Sequence, residues 1–518
     1  MRTFLAAALT LLCFVRAEAV TVSVYHTSDV HGWYSSRPAK WDAANSTRSI
    51  GGFAALSALL KTEKNPYILV DSGDMFQGTP EGNYTKGMAS VLLMNKLGYS
   101  AAEVGNHDYD YTESNLKILI SSAAFPFLGA NVYYKDSGKH ADYLKPYVIV
   151  ERAGERIAVL GIAGRHTATS TLPANVKHLS FNDEGAETAK WMAEIKKQRP
   201  DAVVILAHIG IGGPYGGQKV EVSTLTLNDA MTAYGTVTVA RNAPDAAVVL
   251  GGHNHTGLLS GYPDQGSGVL LGESYWGLTD VTKADLNFDT ATGKFTGASV
   301  KLIPLWTDVT GEDAEVTAMI KTFKEAADVE MDKPLGESAV DLGTSKAGLD
   351  SDIGNWFTDA MRRQSGTDAA FQNTAGIRAE LRKGPVKMRD IYQVMPFENT
   401  LVKLTMTGDQ IKKLMEDNIR GGRTRLQLSG LTVKVSGGKD GSPEVITLEK
   451  DGREIAPGDK LTVATNNYLT TGGTGGKAFN DAEKSEDTMK PIRDLLIKDI
   501  SENPIKELPP SGRIIRAE

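Results

Sequence analysis

Five short polar clusters carry the residue types from which hydrolytic metal chemistry is built. They are Asp29-Val30-His31, Gly73-Asp74, Gly105-Asn106-His107-Asp108, His208, and Gly251-Gly252-His253-Asn254-His255. Together they offer carboxylates, imidazoles and an amide in the numbers that a site for two cations needs. Imidazole and carboxylate donors suit Zn, Mn, Fe or Co, whereas Mg and Ca prefer oxygen throughout. One carboxylate must bridge the two cations, and Asp74 is the candidate. Asp29 and Asp74 bring two negative charges against two divalent cations. The remaining positive charge would attract a phosphate and lower the pKa of a bound water. Of the nine histidines, five fall in these clusters. His26, His140, His166 and His178 receive no role.

Each cluster follows an apolar run: Val22 to Tyr25, Ile68 to Val70, Ala102 to Val104, Val203 to Leu206 and Val248 to Leu250. Runs at 21–28, 67–71, 101–104, 157–163, 202–207 and 246–250 suit strands buried on both faces. Helical spacing at 51–62 and 183–198 alternates with them, which predicts an α/β, layered αββα architecture. In such sheets ligands bind beyond the carboxyl ends of the strands, so strand ends are where the clusters belong. Residues 264–305 read as a β-meander. A charged stretch from Glu312 to Lys333, closed by Pro334 and Gly336, reads as a linker helix. Beyond it the pattern predicts helices near 352–364 and 408–420, and strands near 400–406, 426–436 and 459–465.

A chain of 518 residues with 41% hydrophobic and 23% charged residues is a folded protein with room for two domains. A net charge of −7 argues against a broad nucleic-acid-binding surface. Arg2, the apolar run Phe4 to Val15 and Ala17-Glu18-Ala19 read as a secretory signal cleaved after about Ala19. That run is too short to span a bilayer. The single cysteine, Cys13, lies within it, so the mature chain would owe nothing to disulfides. The end, Gly512 to Glu518, has no hydrophobic tail for an anchor. The expectation is a secreted or periplasmic protein without a membrane anchor.

The order Asp-x-His, Gly-Asp, Gly-Asn-His-Asp-x-Asp, His, Gly-Gly-His-x-His resembles the calcineurin-like metallophosphoesterases, and over the whole mature chain the exported 5′-nucleotidase family in particular. The resemblance implies a four-layer αββα catalytic domain at 20–306 after a signal at 1–19. It further implies a linker helix at 307–335 and an α+β substrate-binding domain at 336–518. It assigns one metal to Asp29, His31, His255 and the bridging Asp74, and the other to Asp74, Asn106, His208 and His253. His107 matches the family's catalytic histidine and Asp110 its carboxylate partner, which orients the ring. In the second domain, Asn373 to Arg378 resembles a phosphate-binding segment in which Asn373 meets substrate and Arg378 holds phosphate. Pro396-Phe397-Glu398-Asn399 and Tyr468 stand where the family stacks a base and reads its edge.

Three positions depart from the family's pattern. Thr474, in Gly472-Gly473-Thr474-Gly475-Gly476, replaces an Asp that holds ribose hydroxyls; Ala375 replaces a glycine; Lys346 is the only base near Gly354-Asn355. The expected substrate is a 5′-nucleotide or related phosphate ester, with closure of the two domains over it permitted by the linker. A UDP-sugar, a 2′,3′-cyclic nucleotide, a thiosulfonate of sulfur oxidation, or non-catalytic ligand binding remain open at this point.

Overall fold

The protein is described by a computed structural model covering residues 19–171, 173–344, 349–397, 399–420, 423–437, 443–471, 473 and 475–516. Residues 1–18 of the expected signal segment 1–19, Lys346 and Thr474 lie outside the described residues. The chain divides into two compact units, the first running to Thr322 apart from a short excursion after Thr171, the second from Phe323 onward. The division falls inside the helix Ala314–Met331.

The first unit is built on two six-stranded sheets. One has the order Phe295–Pro304, Asp280–Asp289, Ala19–Thr27, Tyr67–Asp71, Ala101–Glu103, Phe127–Leu128. The last four of these run parallel, and the first two add an antiparallel edge. The other sheet has the order Tyr262–Pro263, Leu270–Glu273, Val248–Gly251, Ala202–Ala207, Glu155–Ile162, Tyr147–Arg152, with a parallel centre and antiparallel edges.

Period-two alternation sets the layers. Val204 and Leu206 pack with Val22, Val24, Ile68 and Val70 in the core between the sheets. Val203, Ile205 and Ala207 point the other way, onto Met192 and Ile195 of the helix Glu184–Lys197. A strand buried on both faces has to be apolar throughout, as these are. Asp183 starts that helix by accepting the Ala186 N–H, and acidic residues in its first turn suit the dipole. The helix Phe53–Thr62 buries Phe53, Leu56 and Leu60. The architecture is the expected αββα.

The stretch 264–305 is not one meander. Leu270–Glu273 extends the second sheet parallel to Val248–Gly251, whereas Asp280–Asp289 and Phe295–Pro304 form a hairpin in the first. Local alternation marks a strand but does not say which neighbour completes its hydrogen bonds.

The second unit centres on a sheet ordered Leu426–Ser429, Ala369–Asn373, Lys460–Asn466, Thr400–Thr407, Lys484–Pro491. Trp356, Phe357 and Leu496 belong to a core on one face, and Phe371, Leu404 and Leu414 to a core on the other. The run at 426–436 is two strands in different sheets, broken at Gly430. Gly430 takes φ 84°, and a Cβ there would lie 2.2 Å from the Asp368 carbonyl oxygen. Among the described residues no helix is long and apolar enough to cross a membrane.

Candidate metal centre

All five clusters leave the carboxyl ends of strands in the first unit and meet. Asp29 follows Ala19–Thr27, Asp74 follows Tyr67–Asp71, Asn106 follows Ala101–Glu103, His208 follows Ala202–Ala207, and His253 follows Val248–Gly251. The loops are tied to one another through the backbone: Asp29 N–H donates to the Gly73 carbonyl at 2.9 Å and His31 N–H to the Asp74 carbonyl at 3.0 Å. The Asp108 carboxylate accepts the N–H groups of Asp74 (3.1 Å), Met75 (3.1 Å) and Gly105 (2.8 Å). Asp108 is therefore the clamp between two loops, a role its place in Gly-Asn-His-Asp did not announce.

The backbone is strained where the side chains converge. Asp29 (φ 52°), His31 (49°), Asp74 (59°), His253 (72°) and His255 (57°) all occupy the left-handed region that disfavours branched and bulky residues. Gly105 supplies close approach. A Cβ there would lie 2.2 Å from Asp74 Oδ1 and 2.4 Å from Asp74 N.

Two sets of donors result, with Asp74 reaching both. In the first, His255 Nε2 lies 3.6 Å and His31 Nε2 4.0 Å from Asp29 Oδ1, and the two imidazole nitrogens are 3.0 Å apart. Asp74 Oδ2 is 3.9 Å from His31 Nε2 and 3.1 Å from His208 Nε2. In the second set, Asn106 Oδ1 lies 3.2 Å from His208 Nε2 and 3.0 Å from His253 Nδ1. Asn106 Nδ2 donates to the Ser170 carbonyl at 2.8 Å, which turns Oδ1 toward the histidines. His31 Nδ1 and His208 Nδ1 are engaged by the Gln77 and Ser72 carbonyls at 2.7 and 2.6 Å, leaving Nε2 for the cluster. That is the usual support of a metal-ligating imidazole.

Electrostatics point the same way. Burial pushes His31 down to about 4 and His255 to about 3, so both rings are neutral near pH 7 and keep a lone pair. Burial also pushes Asp29 up to about 7, helped by the charge of Asp74. Burial opposes a charge on His208, but the Asp74 carboxylate overrides it and raises the ring to about 9. The neutral rings bring lone pairs to the cluster, and the proton that Asp74 holds on His208 is one that a bound cation would displace. The donor set fits two divalent cations, and the groups Asp29–His31–His255 and Asp29–Asp74–His208 each place three ligand atoms within 4.8 Å of one another.

His107 stands beside these sets. Its Nδ1 is 2.7 Å from Asp110 Oδ2, and Asp110 Oδ1 accepts from the Thr171 hydroxyl at 2.8 Å. The His107 ring centroid is 5.5 Å from that of His31. The His107 and His255 side chains are 32% and 34% exposed while Asp29, Asp74 and His208 are buried, so the cluster opens to solvent on their side.

His166 belongs to no motif and receives no role from the sequence, yet it joins the cluster. Its ring stacks on His253 with centroids 3.6 Å apart. The overlooked signal is positional: His166 lies just beyond the strand Glu155–Ile162, a sixth parallel strand end.

In the second unit, the predicted residues gather at one end of the central sheet. Asn373 Oδ1 accepts from Asn466 Nδ2 at 2.9 Å, Asn399 Nδ2 donates to Asn467 Oδ1 at 3.0 Å, and Arg378 N–H donates to the Val394 carbonyl at 2.9 Å. Phe397 and Tyr468 are 43% and 42% exposed, unlike core aromatics. Arg378 is exposed, with Nη1 donating to the Ala375 carbonyl at 3.1 Å.

Residues 22–257 match the calcineurin-like phosphoesterase family, and residues 334–481 match the 5′-nucleotidase C-terminal domain. The chain is 27% identical to Endonuclease YhcR of Bacillus subtilis (strain 168) over 440 residues, covering 80% of this chain and 34% of that protein. It thus spans about a third of that relative's length. It is 25% identical to Protein UshA of Escherichia coli (strain K12) over 522 residues, 92% of this chain and 90% of that one. Its fold is shared with a 5′-nucleotidase precursor from Thermus thermophilus, with a TM-score of 0.61 at 24% identity over 96% of this chain and 99% of that one. The fold of the first unit is that of a calcineurin-like phosphoesterase. The second unit carries a 5′-nucleotidase C-terminal domain, so the chain joins a calcineurin-like phosphoesterase domain to a domain of that family.

Proposed function

We propose that the protein is an exported, metal-dependent phosphoester hydrolase that converts a 5′-nucleotide to nucleoside and phosphate. The observation that carries this reading is the pair of donor sets sharing Asp74, with the His107–Asp110 pair beside them and outside both. Asp29, His31, Asp74 and His255 would hold one cation, and Asp74, Asn106, His208 and His253 the other. When bound, the cations activate water and offset the negative charge that grows on the phosphoryl oxygens. Asp110 orients the His107 ring, which then stabilises the leaving oxygen and supplies its proton. The strained loops keep the ligand side chains in place before substrate arrives, so little reorganisation is needed during reaction. In the second unit, Arg378 binds phosphate, Asn373 and Asn399 contact substrate, and Phe397 and Tyr468 stack on the base.

The test is an assay of the leader-free protein, loaded with Mn or Zn, against AMP, UDP-glucose, 2′,3′-cyclic AMP and a thiosulfonate ester. Metal-dependent phosphate release from AMP is expected to lead. Absence of turnover on every phosphate ester overturns the reading. Export is tested separately by mass spectrometry of the mature chain, expected to begin near Val20.

A further inference from the structure

His166 has the arrangement of a ligand rather than of a packed core histidine. Its Nδ1 lies 2.8 Å from the Tyr234 hydroxyl, while its Nε2 is buried with no hydrogen-bond partner among the described residues. One nitrogen each from His166, His208 and His253 fall within 4.8 Å of one another. One nitrogen engaged and the other left over repeats the pattern of His31 and His208, whose Nδ1 atoms are engaged by carbonyls. Engagement of the second nitrogen is how proteins fix the tautomer of a ligating imidazole. By contrast His140, also partly buried, spends its Nε2 on the Gly129 carbonyl at 2.9 Å.

The ring is also placed by its neighbours. Gly164 has no side chain where one would collide, since a Cβ there would lie 2.0 Å from His166 Cε1. His253 covers one face at 3.6 Å between centroids, with planes 27° apart. A buried nitrogen with no partner among the described residues, in a ring grouped with two other imidazoles, would be satisfied by a cation shared with them.

We propose that His166 is an additional ligand of the cation held by Asp74, Asn106, His208 and His253, with Tyr234 positioning its ring. This rests on the two-cation reading above and deepens it. Three imidazoles in one set favour a borderline transition metal such as Zn or Co over Mg, because nitrogen donors suit the former and not the latter. The two sites then differ, since the other set contains two imidazoles and two carboxylates.

The experiment is metal titration of the chelator-stripped full chain with Zn and with Co, read by calorimetry and by the visible absorption of the Co form. Wild type is expected to bind two equivalents. His166→Ala should weaken one of them about tenfold or more, change the Co spectrum, and reduce the preference of that site for Zn over Mg. Gly164→Ala, which displaces the ring without removing it, should act in the same direction, and Tyr234→Phe more weakly. His140→Ala should leave both equivalents unchanged. If His166→Ala does not fold by circular dichroism, the Gly164→Ala and Tyr234→Phe titrations decide. Two equivalents with unaltered affinities and spectrum in the folded variants overturn the role of His166 and leave the two-cation reading standing. A wild-type chain that takes up no metal overturns both.

Discussion

At the residue scale, the proposed division between groups that hold cations and groups that handle the leaving oxygen makes separable predictions. His107 pairs through Nδ1 with Asp110, outside both donor sets. His107→Gln is therefore expected to lower kcat about 10²–10⁴-fold while metal content stays at two equivalents. Loss of metal in that variant, or full activity, would refute the assignment. Asp74 lies within reach of both sets, so Asp74→Asn should remove or weaken both equivalents together, measured by metal analysis after dialysis. Retention of one tight equivalent would show that Asp74 serves a single site.

At the element scale, strand ends and strand interiors have different vulnerabilities. Gly105→Ala puts a methyl group against the backbone and carboxylate of Asp74, where the neighbours are fixed by the Asp108 clamp. Overpacking of that kind costs roughly 1–3 kcal/mol. A lower denaturant midpoint with weakened metal binding is the expected outcome. Within the strand Ala19–Thr27, His26 is fully buried, and burial pushes it down to about 3. Its folded value lies below the unfolded one near 6.5, so the unfolded chain takes up a proton that the folded chain refuses. The contribution is absent above about pH 6.5 and destabilises progressively as pH falls toward 3. At pH 5 it amounts to about 2 kcal/mol. His26→Gln should flatten the loss of stability between pH 7 and pH 5 by that amount in metal-free protein, read from urea unfolding; an unchanged slope would contradict it.

At the scale of the whole molecule, every candidate metal ligand belongs to the first unit, and the predicted nucleotide-binding residues belong to the second. Each unit has its own apolar cores. A fragment ending at Lys333 is therefore expected to bind two equivalents of metal and to hydrolyse a small chromogenic phosphodiester. It should lose the advantage of AMP over that substrate, seen as a drop in kcat/KM for AMP alone. A fragment equally fast on AMP would place base recognition in the first unit.

The layered α/β class, most strand positions and the strand-end position of the seven candidate cation ligands were legible in the residues alone. Strands buried on both faces must be continuously apolar, so a polar cluster that ends such a run marks the rim of the sheet, where a ligand can sit. The sequence could not show that Leu270–Glu273 joins one sheet and Asp280–Asp289 the other, because alternation does not name a partner. Nor could it show Asp108 as a clamp or the left-handed backbone at five candidate ligand positions, which depend on loops from distant strands meeting. His166 shows the limit most clearly. It stood past a strand end like the others, yet a lone histidine gives no sign of which nitrogen is engaged. Only the folded chain brings it onto His253 and leaves Nε2 without a partner among the described residues, because that juxtaposition joins loops far apart in sequence.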